Sequence, residues 1–253
     1  MKYLICLLLS VWMLNFSCSG KNMRNASNQR EIATAMQRLG EEYYNAGNYT
    51  LALQNLLVAY KTIPNDPYLN NSLGLVYLVK KTPGLAENHF KKALKLKPDY
   101  LQAKNNLGAA YLKQQKWQLA IQSFKAVLEN LLYATPEIAL ANLGWAYYHQ
   151  KMFKKAKRYF NQSLEIRPNY LISIHGLASI LIETGYFHQA IDFLHHSLEK
   201  NPGSAILHSD LAKAYEENKN YAQAKKSWKL VLKLTPEASP LAKEARERLY
   251  NRQ

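Results

Sequence analysis

Two groups of side chains in this 253-residue sequence have the types and spacing to do chemistry. His188, Asp192 and His196 recur at steps of four. On a helix that spacing puts two imidazoles and a carboxylate on one face, where two of them could share a metal ion. No further ligand is evident to close such a site or to orient its imidazoles, and the stretch reads as the solvated outer face of a helix, so no metal is expected. Trp145 and Tyr148 lie one helical turn apart, and their chemistry is that of recognition: large, stiff, amphipathic rings that anchor a partner. Cys6 and Cys18, the only 2 cysteines, cannot build a disulfide scaffold or a thiolate cluster. There is no Gly-rich phosphate loop, no Gly-x-Ser-x-Gly and no paired carboxylates in an evident cleft. A non-enzymatic protein with no cofactor and no small-molecule substrate is the expectation.

The elements that must position these residues begin with a signal. Lys2 precedes an apolar run from Tyr3 to Leu14 broken only by Ser10, followed by Asn15-Phe16-Ser17-Cys18-Ser19-Gly20. A helix of that length reaches roughly 18 Å at about 1.5 Å per residue, short of a ~30 Å hydrocarbon core, so residues 1–17 read as an export signal. A small residue directly before Cys18 resembles the lipobox of bacterial lipoproteins, although Asn15 stands where that motif usually has Leu. The resemblance implies lipidation of Cys18, and Ser19 after it implies sorting to the outer membrane. Residues 18–32 have no apolar periodicity and read as a polar tether.

Repeats organise the remainder. Leu39-Gly40 recurs as Leu73-Gly74, Leu107-Gly108, Leu143-Gly144, Leu177-Ala178 and Leu211-Ala212, at steps of 34, 34, 36, 34 and 34. Twelve residues after each small residue comes Ala52, Ala86, Ala120, Ala156, Ala190 or Ala224, and four further on Leu56, Phe90, Phe124, Phe160, Leu194 or Trp228. Small residues on two helices let their backbones approach while the large ones fill the space alongside. The pattern resembles the tetratricopeptide repeat. An all-α chain is expected: a right-handed superhelix of six helix pairs over 33–66, 67–100, 101–136, 137–170, 171–204 and 205–238, closed by a capping helix over 239–253 with Ser239 as N-cap and Pro240 at its first position.

The third repeat carries two extra residues and ends Tyr133-Ala134-Thr135-Pro136-Glu137, leading into Asn142-Leu143-Gly144-Trp145-Ala146-Tyr147. With the lipobox-like start and the repeat count, this is similar to the PilF/PilW family of type IV pilus biogenesis lipoproteins, the pilotins. That resemblance implies an outer-membrane, lipid-anchored scaffold on the periplasmic side that binds the pilus secretin and aids its localisation or oligomerisation. The alternative is a general periplasmic adaptor, for example one that scaffolds cell-wall enzymes.

In such a stack the first helix of each repeat lines a groove, and its second, fifth, ninth and twelfth positions point inward. The partner-binding candidates are Tyr68, Asn71, Leu75 and Leu78; Asn105 and Leu112; Ile138, Trp145 and Tyr148; and Ile172 and Ile182. Repeats that clamp acidic tails need several basic residues at these positions, and only Lys213 is present, so an apolar helix or extended segment is the expected ligand. The surplus of 33 Lys plus Arg over 18 Asp plus Glu, a net +15, concentrates on second helices such as Lys154, Lys155, Lys157 and Arg158. Export makes nucleic acid an unsuitable partner for that charge, which reads as a solvated convex face.

Overall fold

A computed structural model describes residues 27–250, which are helical apart from short turns. Signal, Cys18 and the start of the tether lie outside the described residues. The first compact unit ends at Gln114, the second begins at Gln115. The first holds α1 (27–45), α2 (Tyr49–Thr62), α3 (Pro67–Val79), α4 (Pro83–Leu96) and α5 (Leu101–Lys113). The second holds α6 (Trp117–Leu128), α7 (Pro136–His149), α8 (Phe153–Ile166), α9 (Leu171–Glu183), α10 (Phe187–Lys200), α11 (Ala205–Glu217), α12 (Tyr221–Leu234) and α13 (Pro240–Tyr250). No helix among the described residues is long and apolar enough to cross a membrane.

Helix α1 starts earlier than apolar periodicity indicates: residues 27–32, read above as tether, are helical. Gln29, Arg30 and Glu31 are good helix formers, and a solvated first turn needs no apolar stripe. Pro136 also differs from expectation. It is the first residue of α7, where its missing N–H costs nothing, and does not end the repeat before it.

Each first helix turns into its second through one left-handed residue. Gly47 (φ 78°) and Gly185 (φ 79°) fill this position in two repeats, and Lys81, Gln115, Lys151 and Lys219, with φ between 58° and 61°, fill it in the others. The next residue sends its N–H back to a carbonyl five positions earlier: Asn48 to Tyr43 at 2.8 Å, Thr82 to Tyr77 at 2.9 Å, Met152 to Tyr147 at 3.0 Å. That closure satisfies an otherwise orphaned carbonyl, and it holds the non-glycine residues in a backbone region that costs them on the order of 1 kcal/mol.

Packing within each unit follows the small-against-large columns. All six second-helix alanines, from Ala52 to Ala224, are buried, as are Leu56, Phe90, Phe124, Phe160, Leu194 and Trp228. In the first unit Phe90 lies against Gly74, where an added Cβ would sit 2.5 Å from the ring. In the second, Phe160 is pressed by two glycines, Gly144 and Gly176; added Cβ atoms there would lie 2.6 and 2.3 Å from it. Phe160, in the repeat that has Gly144 in the small column, is thus also approached by Gly176 of the following repeat, whose own small column holds Ala178 two residues later.

The end of the second unit is sealed by a buried carboxylate. Glu216, 7% exposed, accepts a hydrogen bond from Trp228 Nε1 at 2.9 Å and pairs with Arg248 Nη1 at 2.9 Å, tying α11, α12 and α13 together. Ser239 Oγ caps α13 by accepting from Ala242 N–H at 3.1 Å.

Candidate functional site

In the first unit, first helices α1 and α3 and the residue before α5 enclose a recess of about 570 Å³, bordered by Gln37, Glu41, Tyr44, Asp66, Tyr68, Asn71, Leu75 and Tyr100. Its polar groups are tied to one another. Glu41 Oε1 accepts from Gln37 Nε2 at 3.0 Å and from Ser72 Oγ at 2.7 Å. Asn106 Nδ2 donates to Asn71 Oδ1 at 3.0 Å, forming a rung from α5 to α3. Asp66 caps α3 through Leu69 N–H at 2.7 Å. Tyr68 and Tyr100 meet edge to face at 5.2 Å between centroids. Burial, then Tyr68 and the carboxylates of Glu41 and Asp66, push the Tyr100 hydroxyl up to about 12, so it stays a proton donor at any physiological pH.

The second unit presents a different surface. Trp145 is half-buried, with its ring 5.5 Å from the core ring of Phe160, 5.1 Å from Tyr148 and 4.9 Å from His175. His149 stacks on Trp117 at 4.9 Å. Behind His175 stands Asp210, 2% exposed, with Oδ2 2.7 Å from the imidazole Nδ1. This bond occupies the same repeat positions as the Asn71–Asn106 rung. Burial raises the Asp210 pKa, and His175 and Lys213 oppose the rise. Burial also raises the Tyr148 pKa, with Glu183 and Asp210 adding to it. Cations at the groove's edges are paired: Lys151 with Glu183, and Lys213 with Glu244 at 2.9 Å. The surface is aromatic and backed by the buried ring of Phe160, which suits it to hold an apolar segment.

The residues read from the sequence divide in three. Tyr68 and Ile172 are exposed; Leu75, Leu78, Leu112, Ile138, Trp145 and Tyr148 are partly buried. Ile182 is partly buried because it packs on the core cluster around Ile174 and Leu194. Asn71 and Asn105 are buried, at 7% and 5% exposure, and Asn71 is engaged between helices by Asn106. Leu112 belongs to the first unit and Trp145 to the second. Sequence reasoning missed His175 and Asp210 as a pair. The signal was present in their separation by one repeat plus one residue, the same offset as Asn71 and Asn106. It also missed Asp66, which sits in an inter-repeat turn outside the four inward positions. His188, Asp192 and His196 are exposed, with His196 Nδ1 3.3 Å from Glu199, and no three potential ligands among the described residues are grouped to hold a metal.

Comparison with known proteins agrees with this architecture. Tetratricopeptide repeat family models match residues 37–100, 99–169 and 181–249. The type IV pilus assembly protein PilF of Pseudomonas aeruginosa is 25% identical over 215 residues, covering 83% of this chain and 85% of that one. The anaphase-promoting complex subunit CDC16 of Saccharomyces cerevisiae is 31% identical over 138 residues, but the chain spans only 16% of that protein. Among solved structures, PilW, described as a widely conserved type IV pilus biogenesis factor, shares the fold with a TM-score of 0.70 at 21% identity, over 84% of this chain and 97% of that one. The Pseudomonas aeruginosa PilF structure does so with 0.64 at 22% identity, over 86% and 97%. The chain belongs to the tetratricopeptide repeat family, and within it is similar along most of its length to the type IV pilus proteins PilF and PilW.

Proposed function

We propose that the protein is a non-enzymatic assembly factor of type IV pilus biogenesis: an outer-membrane lipoprotein, lipidated at Cys18, that binds the pilus secretin and aids its localisation or oligomerisation. The observation that carries this is the near end-to-end similarity to PilF, 85% of whose length is matched, where the eukaryotic relative shares only a run of repeats. Binding follows from the second unit's groove. Trp145 and Tyr148 supply apolar ring surface, held from behind by Phe160 and from the side by His175. A secretin segment with apolar side chains would bury against them, and the paired charges at the edges would set its register. The lipid supplies the address; a single acyl chain anchors only marginally, and bacterial lipoproteins carry several.

Deleting the gene tests the reading. Secretin multimers should fall in abundance or stay in the inner membrane, with loss of surface pili, and Cys18→Ser should move the protein out of the outer-membrane fraction. Normal multimers and normal piliation in the deletion strain would overturn it.

A further inference from the structure

The second helices of the second unit border a trench that none of the residues forming the Trp145 surface lines. It lies between α8 and α10, with α9 beneath, and encloses about 780 Å³. Its floor is apolar: Leu177 and Ile180, 8% and 6% exposed, with Leu181 and Phe193 packed beside them on the core. Thr184, the one hydroxyl of α9 that reaches it, spends its proton on the Ile180 carbonyl at 2.6 Å.

The two walls carry the same spacing. Lys154, Lys157 and Asn161 of α8 stand at steps of three and four, and so do Tyr186, Gln189 and Phe193 at the start of α10. Residues so spaced share one helical face, and each wall runs for about two turns, roughly 10 Å. The charge is one-sided. No Asp or Glu lines the trench, and Lys154 and Lys157 are exposed and make no ion pair among the described residues. Lys155 and Arg158 next to them on α8 are exposed too. The cations at the edges of the Trp145 surface, by contrast, already have Glu183 and Glu244 as partners.

We propose that this trench receives an amphipathic helix of a protein partner, apolar along one stripe and acidic along its flank. The stripe covers Leu181, Phe193 and the floor between them, and carboxylates three or four residues apart pair with Lys154 and Lys157. A lipid acyl chain would match the floor but offer nothing to Asn161 and Gln189, whose exposed amides stand one on each wall; the polar flanks of a helix meet both. A basic helix would be repelled by α8. This goes beyond the proposed secretin groove and does not depend on it, since that groove is built on first helices.

The test holds the full chain in phosphatidylcholine nanodiscs and follows the methyl resonances of Ile180 and Leu181. The probe is the peptide acetyl-Glu-Phe-Leu-Glu-Ala-Leu-Phe-Glu-Glu-Leu-amide, compared with a twin in which every Glu is Lys. The acidic peptide should shift both methyls saturably and bind more weakly as salt rises. The lysine twin should bind at least about tenfold more weakly. Lys154→Gln combined with Lys157→Gln should weaken binding by about threefold to tenfold, the range expected of two solvent-exposed ion pairs, with unchanged melting. Trp145→Ala should leave binding unaltered, which separates this site from secretin capture. Phosphatidylglycerol nanodiscs without peptide should leave the methyls in place. Methyls that do not move with the acidic peptide, equal affinity for the lysine twin, indifference to the paired lysine substitution, or methyls moved by phosphatidylglycerol alone would each overturn the proposal.

Discussion

The two units build the same rung from different chemistry. At equivalent positions of successive first helices, the first unit joins Asn71 to Asn106 through two neutral amides, and the second joins His175 to Asp210 through two ionisable groups. The amide rung borders a polar recess ringed by tyrosine; the ionisable rung touches Trp145 and lies beside an aromatic surface. The repeat fixes where such a bond falls, because one helix of each pair is offset from the last by a constant step. Local sequence decides what it does. The first joins two neutral amides, and the second sets a buried carboxylate behind the imidazole that touches the proposed anchor.

The largest expected break in that comparison is at the ring beneath the second groove. Phe160→Ala removes the wedge between Gly144 and Gly176 and should cost about 3–5 kcal/mol, read as a lowered urea midpoint of tryptophan emission. Trp117, Trp145 and Trp228 all lie in the second unit, so this emission reports on it alone among the described residues. The converse change, Gly176→Ala, should cost about 1–3 kcal/mol by overpacking against the same ring.

A middle-sized effect is expected on pH dependence. Because the folded protein raises the Asp210 pKa, it holds that proton more tightly than the unfolded chain does. The resulting stability is fully present below the unfolded carboxylate value of about 3.9 and is lost as pH rises through the raised folded value. Asp210→Asn removes this contribution. Its stability relative to wild type should therefore improve as pH climbs from 3 toward neutrality, measured by melting in a buffer series. Parallel curves would mean that Asp210 does not titrate differently on folding. The smallest effect belongs to the neutral rung: Asn71→Ala should cost about 1 kcal/mol, the same at every pH.

Much of the fold was legible because each repeat states the rule again. The Ala column and the column of large Leu, Phe and Trp residues recur six times, and every member of both is buried. What escaped was whatever one repeat does alone or two do jointly. Lys81, Lys151 and Lys219 take a left-handed turn that propensity assigns to glycine, because the closing hydrogen bond holds them there. Gly176 serves the Phe of the preceding repeat, a relation that no within-repeat column exposes. The added residues before Pro136 leave Leu131 and Leu132 at 97% and 91% exposure while burying Tyr133, and alternation in the sequence gives no hint of which would be inside. At the site, the inward positions pointed to Trp145 and Tyr148, but Asp210 lies one position further along, between helices and behind His175, where a groove rule does not look.

The central claim is that the aromatic surface of the second unit captures a secretin segment, and titration of purified secretin subunit into the full chain tests it most directly. Wild type should show a saturable blue shift of tryptophan emission as the groove is covered, and Trp145→Ala should weaken binding by tenfold or more, the loss of at least about 1.4 kcal/mol, with unchanged helical circular dichroism. Undiminished secretin affinity in a fully folded Trp145→Ala variant would contradict the account.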